Sequence, residues 1–262
     1  MLDQGCISWI LVGCGVQGHR WLNRLGSRCR GIVDLRPPDV KGICKFSNVQ
    51  DAISSGLGFD SALVSVSSEW HFELCKILLE SGKNVLCEKP LCFTFSQLEI
   101  LCKLSIEKDK TIGQVTLERF NPNIHTNIKF LRDQKVLEFV RLGLKPTHRF
   151  EEGPVFDLGI HDIDLYLFFF AEKRAKFRFG YVDKLENTIR SLNSISLKSQ
   201  VDQMLPQILM FEDAVQLGYN VLDSIDFLRT EIQILNMIRL EELKNPYETI
   251  FDLELDLGGQ DE

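Results

Sequence analysis

Apolar runs and amphipathic stretches alternate through the first half of the chain. ISWILVG (residues 7–13) reads as a strand, residues 17–25 as a helix and RGIVDL (30–35) as a second strand. SALVSVSS (61–68), NVLC (84–87) and TIGQVTL (111–117) continue the strands, with helical stretches at 69–81 and 95–108 between them. Strand and helix in alternation predict βαβ units, hence an α/β fold with a parallel sheet over residues 1–118. Asn121-Pro122 then opens a helix to about residue 132, with proline in the first turn, where a missing N–H costs little.

The second half is patterned differently. KVLEFVRLGLK (135–145) reads as a strand and residues 157 to about 170 as a mostly apolar helix. KFRFGYV (176–182), SISLKS (194–199), AVQLGYNVL (214–222) and TIFDLEL (249–255) fit strands of an antiparallel sheet, while 223–243 has helical periodicity. A second, α+β domain with a mostly antiparallel sheet is therefore expected over 119–262. The pattern shows no internal repeat and no low-complexity linker.

Chemistry enters with the first turn. Gly13, Gly15 and Gly18 have the G-x-G-x-x-G spacing directly after a strand and at the start of a helix. In that setting the first glycine allows the tight turn, the second admits a pyrophosphate close to the backbone and the third lets helix pack on sheet; Val16 and Gln17 complete the loop. Asp34 ends the second strand about 20 residues on, where a carboxylate can accept hydrogen bonds from ribose hydroxyls. Dinucleotide binding is the expected function of this loop. Asp34 favours NAD, because a carboxylate repels a 2′-phosphate; Arg36, two residues later, is the residue that would accommodate NADP.

NVLCEKP then delivers Glu88, Lys89 and Pro90 to the carboxyl end of a strand, the side on which such sheets bind ligands. A lysine there, partly desolvated and near a positive nicotinamide, can hydrogen-bond a substrate hydroxyl, and Pro90 stiffens the turn that aims it. In PVFDLGIHDIDLYLFF, Asp157 and His161 stand four apart on the predicted helix, so a carboxylate and an imidazole share one face. They fit a proton-transfer pair; an Asp capping the helix and a polar core histidine fit the same spacing.

Composition narrows the class. The 262 residues carry a net charge of −7, which offers no basic field to a nucleic-acid backbone, and no apolar run reaches the ~18 residues of a membrane span. The eight cysteines all fall between Cys6 and Cys102 without a C-x-x-C pair, so free thiols, no metal and a reducing, cytoplasmic setting are expected. No signal peptide can be drawn at the N-terminus.

GCGVQGH, SSEWHFELCKILLESGKNVLCEKPL and FDLGIHDIDL, in this order, resemble the glucose-fructose oxidoreductase and inositol dehydrogenase family (Gfo/Idh/MocA) over residues 1 to about 170. The resemblance implies a Rossmann domain, a catalytic group of Lys89, Asp157 and His161, and a cofactor site that includes Ser67, His71, Glu88 and Lys89. The usual Thr-Pro before the histidine is replaced by SSEW. TLERFNPN, with Arg119 and Asn121 as substrate-binding candidates, is similar to a segment of nucleotide-sugar members, notably UDP-N-acetylglucosamine 3-dehydrogenases. The second domain is shorter than is common in the family. The resemblance thus implies NAD-dependent oxidation of a secondary hydroxyl on a sugar or nucleotide sugar, by a homo-oligomer formed through the C-terminal sheet. The rival reading is a non-catalytic sensor that binds the dinucleotide and regulates a protein partner.

Overall fold

The computed structural model describes residues 7–144, 153–182, 201–244 and 250–257. In chain order the elements are β1 (Trp9–Val12), α1 (Val16–Leu25), β2 (Cys29–Val33), β3 (Cys44–Phe46), α2 (Val49–Ser54), β4 (Ser61–Val64), α3 (His71–Glu80), β5 (Asn84–Cys87), α4 (Phe95–Lys108) and β6 (Ile112–Gln114). They continue with α5 (Pro122–Arg132), β7 (Val136–Leu144), a π-helical segment (Val155–Gly159) leading into α6 (Ile160–Phe169), β8 (Arg174–Val182), α7 (Met204–Leu217), α8 (Ile225–Lys244) and β9 (Ile250–Asp256). The strand expected at 194–199 lies outside the described residues. None of the described helices is long and apolar enough to cross a membrane.

The chain forms two compact units, Met1–Val115 with Met204–Leu228, and Thr116–Gln203 with Arg229–Glu262. In the first, six strands in the order β3-β2-β1-β4-β5-β6 make a wholly parallel sheet. Every residue of β1, β4 and β5 is buried, as expected of parallel strands covered on both faces. Strand order reverses between β1 and β4, so the crevice above their carboxyl ends is the place where such sheets receive a ligand. Helix α4 starts and stops by local rules: Thr94 accepts from the Gln97 N–H to cap it, and it ends on Asp109 in left-handed conformation.

The segment 204–228 belongs to this first unit, although it follows residue 118 by a long stretch of chain. Helix α7 is anchored by Glu212, whose Oε1 accepts from Trp9 Nε1 (2.8 Å) and whose carboxylate takes Arg28 Nη1 at 3.0 and 2.9 Å. Phe211 packs on Trp9, with ring centroids 5.4 Å apart. The chain then lies along β6, where the Ile112 N–H donates to Asn220 O (2.7 Å) and the Leu222 N–H to Ile112 O (2.9 Å). Gly113 permits that approach, since a Cβ there would sit 2.8 Å from Leu222 Cδ2. AVQLGYNVL is thus not a strand of a second sheet. Its first residues finish α7, and only Val221 makes a bridge, to Ile112. Pro206 does not break α7, because it lies in the first turn, where backbone N–H groups have no intrahelical partner.

In the second unit β7, β8 and β9 form a mixed sheet: β7 pairs β8 in parallel and β9 pairs β8 antiparallel. This corrects the expected mostly antiparallel sheet, and the reason is topological. Residues between β7 and β8 include α6, and a helical crossover is what a parallel pair requires. Ala175, Phe177 and Phe179 of β8 are buried while Arg174, Lys176 and Arg178 are exposed, the period of two of a sheet covered on one face. Phe139 stacks on Phe177 at 4.9 Å, and Tyr166 of α6 meets Phe177 edge-on at 5.5 Å. Gly159 lets the π-helical segment close on the Phe179 ring, which a Cβ would touch at 3.3 Å.

Candidate active site

The glycine loop separates into two kinds of glycine. Gly13 adopts φ +88°, donates to Val33 O (2.8 Å), and would place a Cβ 2.4 Å from Ser65 O; at Gly18 a Cβ would lie 2.2 Å from Gly13 O. Both are required by the protein's own packing. Gly15 is not: its φ is −70°, and a Cβ would meet nothing within 4 Å. The space beside it opens onto the start of α1, which has no side-chain cap, so its first N–H groups are available to an anion.

Asp34 braces this loop. Its Oδ2 accepts from the Cys14 N–H at 2.7 Å and its Oδ1 from the Arg36 N–H at 2.8 Å, which fixes the carboxylate between the two turns while leaving acceptor capacity for ribose hydroxyls. Burial, then the charge of Asp34, pushes the Cys14 thiol up, so it stays protonated. Val16, Leu35 and Trp70, after β1, β2 and β4, are exposed apolar side chains at the same carboxyl edge. The Arg36 side chain is exposed.

The Glu-Lys-Pro turn leaves the end of β5, where the Glu88 N–H donates to Val64 O (2.9 Å). The Glu88 carboxylate is half-buried and held by the protein's own donors. Its Oε1 accepts from Trp21 Nε1 (2.7 Å) and Gln17 Nε2 (3.1 Å), both on α1, and its Oε2 from the Lys89 N–H (3.3 Å). The Lys89–Pro90 peptide is cis, and Lys89 is half-buried. His71, 1% exposed, holds the turn from the other side, with Nδ1 at 2.7 Å from Pro90 O and Nε2 at 3.1 Å from Val66 O. Both partners are carbonyl oxygens and a neutral imidazole donates to only one of them, so the ring sits between the loop after β4 and the loop after β5 with one N–H bond to either. Ser67 is exposed at the head of that first loop, where its carbonyl receives the Trp70 N–H. Cys75, Cys87 and Cys92 are buried and form no disulfide. Burial, the neighbouring Cys75 and the Glu88 charge hold the Cys87 thiol well above its usual range, which makes it a core residue and no nucleophile.

In the second unit Asp157 lies in the π-helical segment and His161 is the second residue of α6, both half-buried. The helix the sequence predicts from 157 thus begins with i→i+5 bonding, a local widening frequent at functional sites. Flanking residues lock this stretch. Asp162 takes Arg141 Nε at 2.9 Å, and Arg141 Nη1 reaches Glu118 at 3.1 Å. Burial raises the Asp162 pKa; Arg141 opposes this but is shared with Glu118, whose charge adds to the rise. Asp164 takes Arg119 Nε at 3.2 and 3.0 Å in a buried pair, and the guanidinium lies 4.2 Å from the Phe168 ring centre. Asn121, fully buried, caps α5 by accepting from the Asn123 N–H (3.0 Å) and donates to Glu118 (3.0 Å). Arg119 and Asn121 are therefore built into the frame of this unit.

Residues 7–116 match the model of an oxidoreductase family with an NAD-binding Rossmann fold, GFO_IDH_MocA. Over this stretch the chain is similar to that family's NAD-binding domain. An inositol 2-dehydrogenase of Corynebacterium glutamicum is 28% identical over 152 residues, covering 53% of this chain and 44% of that protein. The chain spans about half the length of the first curated relatives it matches. Among solved structures, the UDP-N-acetylglucosamine 3-dehydrogenase of Acidithiobacillus ferrooxidans superposes with a TM-score of 0.69 at 14% identity, over 89% of this chain and 96% of that one. A dehydrogenase of Thermus thermophilus, solved with NAD and UDP-GlcNAcA, gives 0.70 at 14% identity over 89% and 94%. These structures share the fold. The residues present fit a dinucleotide: Gly15 leaves open space, α1 starts without a side-chain cap and the Asp34 carboxylate keeps acceptor capacity, as a pyrophosphate and a ribose would need.

Proposed function

We propose that the chain is an NAD-dependent dehydrogenase that oxidises a secondary hydroxyl of a sugar, and that the sugar is a nucleotide sugar. The observation that carries the enzymatic reading is the Glu-Lys-Pro turn: a half-buried lysine, braced through Glu88 and His71, at the carboxyl edge that also bears the glycine loop. A sensor that only binds a dinucleotide has no use for a lysine held this way. The sugar class is supported by the inositol and UDP-sugar dehydrogenases among the similar proteins, and nucleotide sugars by the ERFNP resemblance.

Gly13, Gly15, Val16, Gln17, Gly18 and Asp34 would hold the cofactor, which supplies a hydride acceptor when bound. Lys89 hydrogen-bonds the substrate oxygen and stabilises negative charge developing on it. His161 takes the hydroxyl proton, and Asp157 orients the imidazole and stabilises its charged form. Asp34 selects NAD by repelling a 2′-phosphate, so Asp34→Ser should move preference toward NADP, at some cost in loop order because the bond to Cys14 is altered.

The test is to incubate the protein with NAD and a panel of UDP-sugars, hexoses and inositols while following absorbance of the reduced cofactor. Lys89→Ala and His161→Ala should each lower turnover by about 10²–10⁴-fold with NAD affinity nearly intact. Activity confined to inositols or simple hexoses would reject the nucleotide-sugar class. Tight NAD binding with no turnover on any sugar would favour the sensor.

A further inference from the structure

Glu88 was grouped above with cofactor-binding residues, yet its carboxylate is committed to this protein's own side chains and backbone. One oxygen receives two donors from α1 and the other receives the Lys89 N–H. Trp21 is fully buried, so the indole N–H pins the carboxylate from within the core. Gln17 is different in kind. It is the second residue of α1, and a backbone N–H in that position has no intrahelical partner and faces any anion held by the loop. A single residue thus meets the pyrophosphate position with its backbone and Glu88 with its side chain.

The geometry points to Glu88 as a positioning residue that conveys occupancy of the glycine loop to the placement of Lys89. The inference rests on the cofactor and lysine roles proposed above. A ligand that orders Gln17 acts on a carboxylate already fixed by Trp21, and that carboxylate holds the backbone of the lysine. A carboxylate is needed for this arrangement. Glutamine could offer its oxygen to Trp21 and Gln17, but its NH₂ would then oppose the Lys89 N–H, donor against donor.

The experiment uses ADP-ribose, which fills the pyrophosphate position but lacks nicotinamide, the part of the cofactor expected beside Lys89. The intact chain is acylated with limiting acetic anhydride, with and without ADP-ribose, and the Lys89 peptide is quantified by mass spectrometry against exposed Lys103. In the wild type, bound ADP-ribose should shift the relative rate at Lys89 by about five-fold or more, in the range of ordinary coupling between sites. In Trp21→Phe and in Glu88→Gln, ADP-ribose should still bind while the shift falls to about two-fold or less. An unchanged Lys89 rate in wild type with ADP-ribose bound, or a full shift in a folded variant, overturns the inference and leaves the cofactor site standing. Failure of both ADP-ribose and NAD to bind, read by calorimetry, overturns the cofactor reading and this inference together. If Glu88→Gln does not fold, the wild type and Trp21→Phe decide the matter.

Discussion

At the scale of single residues, three glycines with one sequence signature have different physical reasons, and substitution separates them. Gly13→Ala and Gly18→Ala drive a methyl group into backbone at 2.4 and 2.2 Å, so each should cost about 2 kcal/mol or more of stability in urea unfolding. Gly15→Val has open space to enter and should change stability by less than about 1 kcal/mol, while NAD binding measured by calorimetry is lost. Equal NAD affinity in wild type and Gly15→Val would remove the loop from the cofactor site. The spacing of the loop and the acid at the end of β2 are legible from sequence because they are local. The partners of Asp34, Glu88, Arg119 and Asn121 are not, since they depend on which chain segments the fold brings together. Asp162 makes a second residue-scale prediction. Its folded pKa is raised above the unfolded value of about 4, so its contribution to stability is full below that value and declines as pH rises through the folded pKa. Asp162→Asn cannot titrate. Relative to wild type, its stability should therefore improve as pH rises above about 4, and a pH-independent difference in urea midpoints would contradict the assignment.

At the scale of elements, buried and locally capped segments declare themselves. NVLC and WILV are strands because parallel pairing covers both faces, and α5 begins at Pro122 because Asn121 caps it. Strand β3 was not legible: it is three residues long with Cys44 and Lys45 exposed, and neither length nor pattern distinguishes it from a loop. Helix α2 is six residues, announced only by its Asn48 cap. The apolar run 214–222 suited a strand because Ala214, Val215, Leu217 and Val221 give no clear helical face on their own; the Glu212 and Phe211 contacts, one turn earlier, decide it. Those contacts carry a prediction. Glu212→Gln removes the ion pair with Arg28, in which both side chains are largely buried, and weakens acceptance from Trp9. It should cost about 1–3 kcal/mol in the transition followed by tryptophan fluorescence, because bonds to charged groups are worth that much when sheltered. A cost near zero would mean that α7 is not fastened to the sheet in this way.

At the scale of the whole chain, the first unit is assembled from two distant stretches, and it contains all three tryptophans, Trp9, Trp21 and Trp70. Indole fluorescence therefore reports this unit selectively. Trp9 senses the α7 anchor, Trp21 the Glu88 brace and Trp70 the loop after β4, so loss of the unit's fold should alter all three environments together. A ligand that binds only the folded unit stabilises it by mass action, by about 2.7 kcal/mol when present at 100 times its Kd. NAD at that ratio should thus move the tryptophan-detected unfolding midpoint by the equivalent of about 2.7 kcal/mol, and AMP or ADP-ribose, each at 100 times its own Kd, should do the same. The Gly15→Val variant supplies the contrast: with the loop closed to the pyrophosphate, its midpoint should stay where it is at the same NAD concentration. A tryptophan transition that NAD does not move, in a protein shown by calorimetry to bind it, would place the binding site outside the unit formed by Met1–Val115 and Met204–Leu228.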